Sequence, residues 1–200
     1  NELVDWFDVD SIILFRHPVS QALSVGRNGW RNTGRAFIRS TDFCAAYLTD
    51  RQKDFAQQIY ASGSALDKRV LDWCLENIPL IQHSHERGTS HVIFYENLIV
   101  NPEETLEKLS RSISITDKAK FLESLTQPSR STKRSSTSET IKKIKNNDKA
   151  FLVDAWQKNV TPTEMASAQK ILDMMNVSMY RSDSSMPVDE FFGSVSANEL

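Results

Sequence analysis

The sequence predicts an α/β domain, a parallel sheet flanked by helices, helix-rich and incomplete at its N-terminus. Three observations carry this prediction. Ser11-Ile12-Ile13-Leu14-Phe15 is an apolar run too short for a membrane span and suited to a strand buried on both faces. His91-Val92-Ile93-Phe94-Tyr95 is a second run of the same kind. Segments with apolar residues at helical spacing separate and follow them. The chain begins with Asn1 rather than Met and reaches its first strand by Ser11, so it reads as a piece of a longer polypeptide.

Arg16-His17-Pro18 follows the first strand, and proline suits the first turn of a helix, where a missing N–H costs nothing. Val19, Ala22, Leu23 and Gly26 give that helix a face for the sheet. Open α/β sheets bind ligands beyond the carboxyl ends of their strands, where helix N-termini favour anions. Asn28 to Gly34 carries the turn residues of a loop. Thr41-Asp42 is placed to cap a helix carrying Phe43, Ala46, Tyr47, Phe55, Ile59 and Tyr60, which Ser62-Gly63-Ser64 ends. The next helix runs from Ala65 to Gln82 with Leu66, Val70, Trp73, Cys74 and Ile78 on one side, and Pro79 bends or ends it. Asn101-Pro102-Glu103-Glu104 starts another helix with a cap, a proline and dipole-matched acids. A short helix holding Phe121, Leu122 and Leu125 follows, then a serine- and base-rich loop from Pro128 to Ser138. Thr161-Pro162-Thr163-Glu164 opens the last helix with a capping box. Residues 1–180 are expected to form a single domain and 181–200 a loose tail.

The 200 residues carry a formal net charge of −2, which excludes a surface built throughout for nucleic acid. The charge is uneven. No acidic residue lies between Ser11 and Thr41, whereas Arg16, Arg27, Arg31, Arg35 and Arg39 do. A second basic island, Arg130 to Lys149, is interrupted only by Glu139 and Asp148. Such islands suggest a local anion site or, equally, solvated helix faces. Cys44 and Cys74 make no metal-like pair and are expected to be reduced packing residues, so no metal is expected. No segment is apolar enough to span a bilayer. Reduced cysteines favour a cytoplasmic location; a Golgi-type anchor upstream of Asn1 is the alternative.

Arg16 stands at a strand end and Ser24 eight residues on in the following helix. An arginine there can fork onto a phosphate or pair with a carboxylate. Downstream, the strand ending Tyr95-Glu96-Asn97-Leu98, followed by Asn101-Pro102-Glu103-Glu104-Thr105-Leu106, resembles the strand, "YEDL" and "NPEETL" segment of the sulfotransferase superfamily. In that family it follows a strand–Arg-x-Pro motif with a serine at the spacing of Arg16, Pro18 and Ser24. Asp154-Ala155-Trp156-Gln157-Lys158 and Thr161-Pro162-Thr163-Glu164 are similar to the family's closing segment and last helix. The resemblance covers residues 10 to 175.

The resemblance implies a P-loop-NTPase-like fold and the cofactor 3′-phosphoadenosine 5′-phosphosulfate (PAPS), with Arg16 and Ser24 on its 3′-phosphate. Tyr95 matches a tyrosine near the adenine, or packs in the core. Arg130, Lys133 and Arg134 are candidates for a basic segment that closes over the nucleotide, or belong to a solvent-facing loop. The implied reaction moves a sulfuryl group to a hydroxyl or amine on a small-molecule or carbohydrate acceptor, with no nucleic-acid partner. The family's Lys-x-Gly-Thr loop for the 5′-phosphosulfate is absent from these residues, and neither His17, His83, His85 nor His91 matches its base. The chain is therefore expected to be the C-terminal portion of such an enzyme and inactive alone. The rival readings are a P-loop-type nucleotide kinase or NTPase fragment and a non-catalytic binding module of the same fold.

Overall fold

A computed structural model describes residues 11–31, 33–84, 90–125, 127, 138–146 and 148–188. Their contacts divide the chain into two compact units: Asn1–Arg16 with Arg87–Ala155, and His17–Glu86 with Trp156–Leu200.

The first unit carries the sheet. Strand β1 (Ser11–Phe15) pairs in parallel with β2 (Ser90–Phe94), Ile13 opposite Val92 and Phe15 opposite Phe94. The Phe15 and Phe94 rings lie 6.1 Å apart, and both residues are buried. The expectation that β1 is covered on both faces is not met: Ile12 and Leu14 are 50% and 52% exposed. An apolar run does not reveal how many strands and layers will surround it. After β2 come α6 (Tyr95–Val100), with Leu98 and Ile99 buried, and α7 (Pro102–Ser110), with Leu106 and Leu109 buried, and the two helices pack on each other. The spacing of those leucines and the first-turn acids Glu103 and Glu104 account for α7. Asn101 precedes it without a side-chain capping bond. After α8 (Lys118–Leu125) and α9 (Ser138–Lys145), α10 (Lys149–Asp154) buries Val153. Lys149 Nζ donates to the carbonyl of Val100 at 2.8 Å, which ties α10 to α6.

The helical unit is built on its own central helix. Helix α1 (Pro18–Arg27) buries Val19 and Ala22, and α2 (Gly34–Arg39) follows the loop predicted around Gly29, whose φ is +67°. One continuous helix was expected from Thr41 to Ser62, and the structure has two, α3 (Thr41–Tyr47) and α4 (Asp50–Ser62). Thr49 and Gln52 form a capping box that starts α4. Helix α5 (Ala65–Ser84) runs through the unit with Leu66, Val70, Leu71, Trp73, Cys74, Leu75 and Ile78 buried, and Pro79 lies inside it rather than ending it. A 3₁₀ turn (Ala155–Asn159) reaches this unit at Trp156, and α11 (Pro162–Met174) packs on α5 through Ala168, Ile171 and Leu172. The final described stretch, Val177 to Val188, was expected to be loose from 181, yet Met179, Tyr180, Ser182, Ser185 and Pro187 are buried. The Ser182 amide donates to Gln169 Oε1 at 2.8 Å and the Val188 amide to the Met179 carbonyl at 3.0 Å.

Candidate functional site

Parallel pairing brings the exits of β1 and β2 to one end of the sheet, although they are about 80 residues apart. Arg16 follows β1 and Tyr95 follows β2. The Arg16 guanidinium carbon lies 4.7 Å from the centre of the Tyr95 ring, a cation–π contact. Tyr95 was placed in the strand; it instead opens α6, where the chain turns away from the sheet. Both residues are half-buried. Stacking uses the face of a guanidinium, whereas a phosphate is gripped by its N–H edge, so the two contacts are compatible. Glu96, in the first turn of α6, is 2% exposed and favourably placed on the helix dipole.

In the helical unit, His17 is wholly buried and caps α1. Its Nδ1 accepts from the Ser20 amide at 3.5 Å, and its Nε2–H donates to the Arg181 carbonyl at 3.0 Å. The ring stacks on Trp156 with centroids 4.4 Å apart and meets the edge of Tyr180 at 5.1 Å. His17 therefore fastens the C-terminal stretch to α1. This arrangement narrows the helix-terminus anion seat that the sequence suggested. Pro18 has no N–H, the Ser20 amide is held by His17, and Val19 is fully buried. A phosphate near this turn would depend on side chains. Ser24 lies mid-helix in α1 and half-buried; its carbonyl accepts from the Asn28 amide at 3.1 Å and from Asn28 Nδ2 at 2.8 Å. Arg130, Lys133 and Arg134 lie outside the described residues, as do residue 85 and the side chain of His83.

A third cluster was not singled out from the sequence. Asp72 on α5 is 6% exposed, and its Oδ1 accepts from Tyr60 Oη at 2.5 Å and from the Gly34 amide at 3.1 Å. Burial pushes the Asp72 carboxyl above its ordinary range, against the lowering effect of those two donors. Burial and the bond to Asp72 push the Tyr60 phenol far up. Arg35 donates to the Tyr60 carbonyl at 3.1 Å and lies 5.5 Å from its ring centre. A Cβ on Gly34 would come within 3.1 Å of Asp72 Cα, which explains the glycine. The available signal was an acidic residue, Asp72, among the apolar positions of α5.

Among the described residues no group of histidine, cysteine or acidic side chains could hold a metal ion, and no helix is long and apolar enough to cross a membrane. No family model, curated protein or solved structure matches the chain.

Proposed function

We propose that this chain is the C-terminal part of a sulfotransferase on a P-loop-like fold, supplying the side of the site that holds the 3′-phosphate and adenosine of PAPS. The supporting observation is the Arg16–Tyr95 pair at the exits of neighbouring parallel strands. Ligands of open α/β sheets lie beyond such strand ends. A guanidinium edge suits a phosphate, and a tyrosine face suits a base. The motif order assigns Ser24 to the same phosphate and Arg130, Lys133 and Arg134 to a closing segment. In the complete enzyme the acceptor hydroxyl or amine attacks sulfur, the bond from sulfur to the bridging phosphate oxygen breaks, and the acceptor's proton passes to a base. The base and the phosphosulfate loop are supplied by upstream sequence in this reading.

Titration calorimetry with adenosine 3′,5′-bisphosphate tests it. A charge-assisted contact contributes about 1.5–3 kcal/mol, so Arg16→Ala should weaken binding by about tenfold or more. A change of less than about threefold would remove Arg16 from the site. Tighter binding of ADP than of the 3′-phosphorylated nucleotide would favour the kinase or NTPase reading, because ADP lacks the group that Arg16 and Ser24 are assigned to hold.

A further inference from the structure

The helical unit contains a cavity of about 370 Å³ between the end of α3, the start of α4, the second half of α5 and the end of α11. Its size falls at the lower end of small-molecule sites. Gln52 braces two of its walls. This buried side chain accepts from the Thr49 amide at 2.9 Å and donates from Nε2 to the Met174 carbonyl at 3.1 Å, joining the start of α4 to the end of α11. These hydrogen bonds fix the spacing of the two walls within the unit.

Its chemistry is specific. Leu48, Ile78, Ile81 and Met175 supply the apolar part of the lining, and Thr49, Gln82 and Asn176 are among its neutral polar groups. No charged residue lines it among the described residues. The site opens to solvent at Ala45, Ala46, Thr49, Gln82 and Asn176, and an ion in it would find no counter-charge. Helix α3 also ends here. The Leu48 amide returns to Cys44, and the Thr49 amide is taken by Gln52. Among the described residues no backbone donor follows for the carbonyls of Ala45 and Ala46, both lining residues. A helix C-terminus favours incoming hydrogen-bond donors.

We infer that this cavity is a binding site for a small neutral alcohol with a compact apolar body, its hydroxyl directed to the end of α3. The site is independent of the nucleotide reading, since its lining has no cation for a phosphate. The probes are 2-phenylethanol, phenylacetate and phenethylammonium, which share a ring and differ in the charge of the head group. In ligand-observed NMR the alcohol should bind with a Kd of about 1 mM and each ion about tenfold more weakly. Ala46→Phe, at an exposed lining position, should fill the space and abolish binding, with circular dichroism verifying the helices. Asn176→Gly removes the rim amide at a position whose φ of 58° glycine accepts freely, and should weaken the alcohol about threefold to tenfold. Equal or tighter binding of either ion overturns the ligand class. Undiminished binding to both variants overturns the location, and no binding of the alcohol at about ten times that Kd overturns the site itself.

Discussion

Asp72 places a carboxyl in the interior of the helical unit and uses a single oxygen, Oδ1, for both of its donors. An asparagine there keeps an oxygen for Tyr60 and Gly34 and cannot ionise. Asp72→Asn is therefore expected to leave stability unchanged or raise it by about 1 kcal/mol at neutral pH, whereas Asp72→Ala should lose about 2–3 kcal/mol by orphaning both donors. Urea unfolding of the two variants decides between these effects. The pH dependence follows from the sign of the shift. A carboxyl raised above its unfolded value favours the protonated native state, so stability declines as pH rises from the ordinary aspartate range through the raised value. Asp72→Asn should remove that decline. His17 makes a similar single-residue tie, one ring nitrogen donating and the other accepting. A phenylalanine would keep the stack on Trp156 and lose both bonds, and His17→Phe should cost about 2–3 kcal/mol. The sequence placed Arg16 at a strand exit but kept Tyr95 inside the second strand, and it did not set one over the other. That contact depends on strand register, which local spacing does not encode.

Whole elements were legible where a local signal was strong. The buried face of α5 follows from Leu66, Val70, Trp73, Cys74 and Ile78, and the capping box at Thr161 marks the start of α11. The break between α3 and α4 was equally present in the letters, as Thr49 with Gln52 three residues on, but continuous apolar spacing concealed it. Thr49→Ala should destabilise the helical unit by about 1 kcal/mol, read as a lower urea midpoint at constant slope. The effect on α4 would be compounded at the cavity, because Gln52 relies on Thr49 for its orientation. In the sheet, the two faces of β1 should answer differently. Phe15→Ala removes a buried ring and should cost about 3–5 kcal/mol, while Leu14→Thr, at a position 52% exposed, should fall within about 1 kcal/mol of wild type.

At the scale of the whole molecule, the chain passes between its two units three times, after Arg16, after Glu86 and after Ala155. No composition shift marks those points; they follow from which distant segments pair, and Arg16 and His17 are neighbours in sequence yet belong to different units. The helical unit is closed by bonds of long sequence separation, such as Ser167 Oγ donating to Asp67 Oδ1 at 2.7 Å. Burial alone would raise the Asp67 carboxyl, but the hydrogen bonds from Ser167 and Ser64 outweigh it and hold it below its ordinary range. A lowered carboxyl contributes stability above its unfolded value and loses it as pH falls through the folded one. Acid unfolding of the wild type should thus include an Asp67 contribution at pH values below about 4, absent from Asp67→Asn. Removal of residues 177–200 would take Tyr180 away from His17 and Trp73, and should shift tryptophan fluorescence to longer wavelength.

The two thiols give the helical unit a pair of internal clocks. Cys74, in the middle of α5, is wholly buried, and burial pushes its thiol far above the ordinary value, so the reactive thiolate is suppressed in the native state. Cys44, on α3, is 6% exposed, with its sulfur 3.3 Å from the Ile38 carbonyl. A disulfide reagent added in excess should therefore be consumed in two phases, Cys44 through opening of the short α3 and Cys74 only when the centre of the unit comes apart. Both rates report how often native packing is interrupted under conditions where no unfolded protein is visible. Asp72→Ala should quicken the second phase, and Thr49→Ala should leave it nearer to wild type.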